Sequence, residues 1–535
     1  MKKTDPLIVS LLVAAFVPVT SSPAAAPGRP NILFIFSDDH SLQTIGAYGA
    51  RLSEFCRQQN VTPNIDRLAA SGGWFPNSFC ANSLCAPSRA AVLSGLHGHA
   101  NGVTTIITQK PIPPTMWTYQ KGVRDAGYQT ALIGKWHLLA PPDTDFSLPL
   151  VGQGRYWNPI FIGPNGKEER KGYVADVITD IGIDWLKRRD KSKPFLLAVQ
   201  HKSPHRPWNP PPRYYRWLQD VKIPEAPTLF DDYAGRTSSA RNQKLEISRD
   251  MNLPEDLKVF TPGKWNNDFA PMSDEQRAEW AMVFGPRNEA FFKANLQGDE
   301  LTRWKYQEYM KDYLRCVKSV DDSVGRLLEE LKAEGLEDNT VVIYASDQGF
   351  FNGEHGWFDK RWIYEESLHM PFIIRWPGVV KPGTRFNEFI QNIDYAETFT
   401  DIAGGKIPAG LHGKSLVPVL RGETPADWRQ SVYYHFYENA THNVPKHYGV
   451  RTDQYTLAYL YQTDEWELYD LKQDPQQLRS VYADPTYAKT VVALKAELAR
   501  LRQQFKDSDE PKEAAKTAEA KPAKGKKGKG AKPKQ

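Results

Sequence analysis

Asn31-Ile-Leu-Phe-Ile-Phe-Ser37 is a continuous apolar run that stops on two carboxylates, Asp38-Asp39. A strand with one face in water alternates apolar and polar residues, whereas a run apolar at nearly every position needs cover on both faces, as a central parallel strand has. Thr340-Val-Val-Ile-Tyr-Ala-Ser346 repeats the pattern and stops on Asp347-Gln348-Gly349. Further strands are expected at Gln129–Ile133, Phe195–Gln200 and Pro371–Trp376, with helical patterns at 62–71, 115–126, 173–189 and 302–334. This alternation predicts an α/β fold with a large, mostly parallel central sheet flanked by helices. Ligand chemistry in such sheets gathers at the C-terminal strand ends, where both acid-bearing runs stop. Beyond residue 428 the pattern changes to short aromatic strands at Val432–Tyr437, Tyr448–Arg451, Tyr455–Tyr461 and Trp466–Leu471 and a helix near 487–505, which reads as a small antiparallel sheet plus helix.

The chain has 535 residues, more than one core usually fills, and 40% of them are hydrophobic, which argues against a disordered chain. Met-Lys-Lys at the start, an apolar run from Leu7 to Val19 and Ala24-Ala25-Ala26 have the layout of a secretory signal over 1–26, with no transmembrane anchor expected after cleavage. A catalytic domain is expected over 28–428, a C-terminal subdomain over 429–505 and a disordered Lys-rich tail over 506–535. That tail holds ten lysines against five acids, which accounts for the whole net charge of +5, so the body is neutral and nucleic acid is not an expected partner. Four cysteines, Cys56, Cys80, Cys85 and Cys316, are too few for a disulfide scaffold; with the signal they suggest a periplasmic or secreted protein.

One cysteine lies in a conspicuous setting, Cys85-Ala86-Pro87-Ser88-Arg89, with Leu93-Ser94-Gly95 behind it. Four residues fixed at this spacing occur by chance in about one in a thousand chains of this length. Read alone, the segment could be a small buried thiol at a Pro-Ser helix entry. Asp38, Asp39, Asp347 and Gln348 offer only oxygen donors, the set a hard cation such as Ca²⁺ or Mg²⁺ takes, although an Asp pair after a strand also serves as a turn or helix cap. Gly134-Lys135-Trp136-His137 and Ser203-Pro204-His205-Arg206 follow two successive strands, and Gly353-Glu354-His355-Gly356-Trp357-Phe358-Asp359-Lys360 follows the Asp347 run.

Together these segments resemble the type I, formylglycine-dependent sulfatases of the alkaline phosphatase superfamily, over roughly residues 30–480 and ending in Leu468-Tyr469-Asp470-Leu471-Lys472-Gln473-Asp474-Pro475. The resemblance implies that a maturation enzyme oxidises Cys85 to formylglycine (3-oxoalanine), whose hydrate supplies the nucleophile. It implies metal ligands at Asp38, Asp39, residue 85, Asp347 and Gln348, and catalytic roles for Cys85, Arg89, Lys135, His137, His205 and Lys360. Gln348 stands where the family commonly has Asn or His, and Ala86 where it has Ser or Thr. In the implied chemistry Arg89, Lys135 and Lys360 bind sulfate, Asp347 takes the nucleophile's proton, His205 protonates the leaving oxygen, and His137 takes the proton whose loss releases sulfate. His201 and His355 are expected to contact substrate. Segments 201–210, 230–236, 304–307 and 353–367 resemble bacterial sulfatases acting on 6-O-sulfated N-acetylglucosamine, which makes a sulfated oligosaccharide or glycosaminoglycan the expected substrate. The alternatives are sulfatases acting on uronate 2-O-sulfate or choline sulfate, and phosphonate monoester or phosphodiester hydrolases of the same fold.

Overall fold

The computed structural model describes residues 29–260, 269–439 and 441–507. The expected signal at 1–26 and nearly all of the expected tail lie outside the described residues. Eight strands, β1 (Asn31–Ser37), β2 (Gly73–Trp74), β3 (Gln129–Gly134), β4 (Phe146–Pro149), β5 (Phe195–Gln200), β6 (Thr340–Ser346), β7 (Phe372–Arg375) and β8 (Thr384–Arg385), form one sheet in the order β8-β2-β7-β6-β1-β5-β3-β4. β1 lies between β5 and β6 and is parallel to both. All seven of its residues are buried. Ile32, Phe34 and Phe36 join the core on one face of the sheet, while Leu33 and Ile35 join the core on the other, as period-two geometry requires. Burying each such side chain contributes on the order of 2 kcal/mol. Ser37 pairs with Ser346, so Asp38-Asp39 and Asp347-Gln348 emerge side by side from strands more than 300 residues apart in sequence.

Helices α1 (Cys85–Ser94), α2 (Val174–Arg188) and α3 (Gly298–Ala333) flank the sheet. α1 packs on the Phe34 face through Ala86, Ala90 and Leu93, and α2 and α3 pack on the Ile35 face. The departures from a purely parallel sheet lie on one side, where β7 runs antiparallel to both β6 and β2. The sequence reading missed β2, β4 and β8, which are short, and a helix at Asp274–Ala294. That helix carries Pro286 inside it and spreads its apolar residues around its circumference; it is started by a Ser273–Gln276 capping box.

Strands β9 (Ser431–Phe436), β10 (His447–Thr452), β11 (Tyr455–Leu460) and β12 (Glu465–Asp470) form a separate antiparallel sheet in chain order. Tyr433, Val450, Leu457 and Leu468 pack against Leu494, Leu498, Leu501 and Phe505 of α4 (Ala488–Phe505), while Val432, Tyr434 and Phe436 face the core of the large sheet. Arg451 of β10 reaches back to Glu365, with Nε–Oε1 and Nη2–Oε2 distances of 3.1 and 2.9 Å. No helix among the described residues is long and apolar enough to cross a membrane.

Candidate active site

The site is built on the rim where β1, β6, β3 and β5 end. Asp39 leaves β1 with φ 66°, and its backbone N–H donates to Asp347 Oδ1 at 3.1 Å. Carboxylate oxygens of Asp38, Asp39 and Asp347 lie within 4.8 Å of one another, all fully buried. Three buried like charges at that spacing need cations. Three are within reach: Lys135 Nζ pairs with Asp38, Lys360 Nζ lies 2.6 Å from Asp39 Oδ2, and Arg89 Nε lies 3.1 Å from Asp347 Oδ2. Burial pushes the Asp347 carboxyl well above the usual carboxylate range, and Asp38 adds to the effect. Burial acts on Asp38 in the same sense, but Lys135, His205 and Arg89 together hold it well below that range.

The residues fit a hard cation. Asp38 Oδ1 and Gln348 Oε1 are buried oxygens with no hydrogen-bond partner, while Gln348 Nε2 reaches both Asp39 Oδ1 and, at 3.7 Å, Cys85 Sγ. Turning that amide over would add an oxygen to the carboxylate cluster. Among the described residues the only other comparable group is Asp38, Cys85 and His205, which overlaps the first; no cluster of histidines and cysteines competes for zinc.

Cys85 is the first residue of α1, so the positive end of the helix faces the rim. All ten residues of α1 are buried. Ser88 hydrogen-bonds the Asp347 carbonyl and accepts from Asn392 Nδ2 at 2.8 Å, which ties the helix to β6. Gly95 ends the helix at φ +69°, the left-handed conformation that favours glycine, with the Glu397 carboxylate 2.7 Å from where a Cβ would lie. Burial, with Asp38 next, pushes the Cys85 thiol up to about 12, so the unmodified side chain is a thiol at neutral pH. Arg89 Nη1 donates to the Lys135 carbonyl at 2.8 Å and to Gln200 Oε1 at 3.0 Å, which fixes its guanidinium under the rim.

Lys135 follows Gly134, whose φ of +104° carries the chain past Gln200 O, 1.9 Å from where a Cβ would stand. Lys135 Nζ also donates to Gln153 Oε1 at 2.8 Å. His137 lies in the field of Lys135, Asp38, Arg89 and Lys360, with Nδ1 buried and unpartnered. His205 Nδ1 donates to the Arg206 carbonyl at 2.6 Å, a partner that can only accept, which leaves Nε2 turned 3.8 Å from Asp39 Oδ2. Asp38, Asp39, Cys85, Arg89, Lys135, His137, His205, Asp347, Gln348 and Lys360 are therefore gathered at one rim.

The two histidines expected to touch substrate are placed elsewhere. His201 is fully buried, its Nε2 2.8 Å from Ser323 Oγ of α3, and burial lowers it to about 3. His355 is enclosed by Phe351, Trp357 and Tyr364, with Nδ1 3.0 Å from Arg236 Nη1 and 3.1 Å from Asp231 Oδ2. Both rings are fully buried in this conformation, His201 on a hydrogen bond and His355 in a cluster with Arg236 and Asp231; a histidine after a strand end carries no signal that separates such a setting from a ligand contact. Sequence reading missed Gln200, Gln153, Arg361 and His442. His442 Nε2 lies 3.1 Å from Asp359 Oδ2, and Arg361 has φ +94° with Nε and Nη1 buried and unpartnered. Gln200 could have been found, as a polar residue at a strand's C-terminal end; the others stand in loops without a motif.

The family model described as Sulfatase matches residues 30–405, and that described as N-sulphoglucosamine sulphohydrolase, C-terminal, matches 353–504. The chain belongs to the sulfatase family. It is a sulfuric ester hydrolase with the alkaline phosphatase-like fold. This sulfatase is 42% identical over 497 residues to the N-acetylglucosamine-6-O-sulfatase of Bacteroides thetaiotaomicron, covering 90% of this chain and 88% of the relative. It is 25% identical over 521 residues to the arylsulfatase of Clostridium perfringens, covering 86% and 92%. A solved structure described as a complex with its substrate D-glucosamine-2-N,6-O-disulfate superposes on the sulfatase with a TM-score of 0.86 at 41% identity, over 90% of this chain and 99% of the other. The phosphonate monoester hydrolase of Agrobacterium radiobacter, at 22% identity and a TM-score of 0.67 over 89% and 96% of the two chains, shares the fold.

Proposed function

We propose that this sulfatase removes the 6-O-sulfate of N-acetylglucosamine units in sulfated glycans, using formylglycine made from Cys85 by a maturation enzyme, and one Ca²⁺ or Mg²⁺. The observation that carries the reading is the 42% identity to an N-acetylglucosamine-6-O-sulfatase over 90% of the chain, joined to a rim holding acids, bases and cations for one sulfate ester. The export signal read in 1–26 supports a periplasmic or secreted enzyme, and the separate core beneath β9–β12 supports dividing the chain near residue 428.

A sulfate monoester resists water because its oxygens shield sulfur with negative charge, so catalysis has to neutralise charge, hold a nucleophile in line and protonate the departing alkoxide. When bound, a cation held by Asp38, Asp39, Asp347 and Gln348 would supply positive charge to the sulfate, and the hydrated aldehyde made from Cys85 would supply the nucleophilic hydroxyl and a second hydroxyl for the release of sulfate. Arg89, Lys135 and Lys360 bind the remaining sulfate oxygens. Asp347, held by Arg89, accepts the proton of the attacking hydroxyl. His205 delivers a proton to the sugar oxygen from Nε2 while its Nδ1–H stays on the Arg206 carbonyl. His137 takes the second hydroxyl's proton at the end of the cycle.

The test is kcat/KM across N-acetylglucosamine 6-sulfate, a uronate 2-sulfate, choline sulfate and a phosphonate monoester, since that ratio reports differential transition-state binding. The glucosamine 6-sulfate is expected to lead. Preference for another sulfate overturns the sugar assignment, and preference for the phosphonate overturns the choice of ester.

A further inference from the structure

A groove of about 600 Å³ runs off the rim beside His137. Its walls are the segment at 136–142, strand β4 and the turn at 162–164. Leu139 and Ile162 stand on it 62% and 48% exposed, among the few large apolar side chains the described surface leaves in water. Apolar side chains exposed together along a groove, as distinct from ones scattered singly, suit it to a ligand.

The groove meets the rim at His137. His137 lines it while lying in the field of Lys135, Asp38 and Arg89, and Gly152 of the groove precedes Gln153, which accepts from Lys135 Nζ. Its chemistry is the opposite of the rim's. No lysine or arginine lines it, and its one carboxylate, Asp145, already accepts from the N–H and Oγ1 of Thr130 at 2.8 and 2.9 Å. A carboxylate or second sulfate placed there loses hydration and meets no cationic side chain, only neutral donors such as Ser147 and Gln109, whereas the C–H face of a neutral sugar loses little and covers Leu139 and Ile162.

We propose that this groove is the subsite for the residue joined to the sulfated glucosamine, and that it selects an uncharged sugar over a uronate. The inference rests on the glucosamine 6-sulfate reading above and extends it from the sulfated unit to its neighbour. Neutral glycans carrying 6-sulfated N-acetylglucosamine are then the substrate class, and uronate-containing chains are poor substrates until the neighbour has been removed.

Three probes test it: the 6-sulfated monosaccharide, and disaccharides in which galactose or a glucuronate is attached to it through the same linkage, made for position 1 and for position 4. For the wild type, kcat/KM on the galactose compound should exceed that on the glucuronate compound by about tenfold or more in at least one linkage. Leu139→Arg and Ile162→Arg, both changes of exposed side chains, should each shrink that ratio several-fold and leave the monosaccharide unchanged. A wild-type ratio near one in both linkages overturns the subsite, as does a ratio that neither variant moves. Failure of the wild type on all three probes, with turnover of another sulfate, overturns the glucosamine reading and the subsite with it.

Discussion

His205 and Cys85 are the residues whose roles separate most cleanly by experiment. If His205 protonates the leaving oxygen, His205→Ala should lower kcat on a sugar sulfate by about 10²–10⁴-fold, yet far less on an aryl sulfate whose phenol leaves without help. Equal losses on both would move His205 from the leaving group to sulfate binding. Cys85→Ala should lower turnover by about 10⁴-fold or more, and the peptide containing residue 85 from active enzyme should carry the mass of the aldehyde or its hydrate. An active preparation holding only the thiol would sink the nucleophile assignment. The residue scale is also where reading from sequence worked unevenly. Asp38, Asp39 and Asp347 could be placed at one rim because two strands apolar at nearly every position fixed where their ends meet, and Cys85 and Arg89 were joined to them by the motif they share with the sulfatases. His201 and His355 could not be placed, since a histidine beside a strand looks the same whether it packs on Ser323 or faces a ligand.

At the scale of elements, the contact between the two sheets offers a measurable seam. Burial would raise the Glu365 carboxyl, but Arg451 and His369 outweigh it and hold Glu365 below its ordinary value of 4.5. A group with a depressed folded-state pKa contributes its full stability above the unfolded value, and the contribution is lost as pH falls through the lower folded value. Glu365→Gln should therefore cost about 1–3 kcal/mol at neutral pH and flatten the acid limb of stability below pH 4.5, measured by urea unfolding across pH. Loss of the same energy at every pH would show that packing, and not charge, holds the seam. The element pattern itself was legible wherever burial imposed a period: β1, β5 and β6 are buried throughout and apolar except at their ends, and α2 and α3 have a clear stripe. The helix at Asp274–Ala294 was not, because its apolar residues follow no single face and its signal is confined to a cap.

For the whole molecule, the buried acids make stability depend on a ligand. The four oxygen donors converge only in the folded chain, so a cation that binds them binds the native state and raises Tm by mass action. Adding Ca²⁺ or Mg²⁺ to metal-stripped enzyme should raise Tm by several degrees, and Asp38→Ala with Asp39→Ala should abolish the increment; chelation should inactivate reversibly. An increment that survives the double substitution would place the cation elsewhere. The burial of α1 has a further consequence. Cys85 is 1% exposed at the start of a helix with no exposed residue, so the finished protein gives a second enzyme no purchase on it. The proposed oxidation then belongs to the minutes of synthesis and export, and a molecule that folds first stays inert for its lifetime. A purified batch should behave as a fixed mixture of working and silent copies: its specific activity should track the oxidised fraction, and incubation of folded enzyme with the maturation enzyme should not raise it, whereas unfolding during that incubation should.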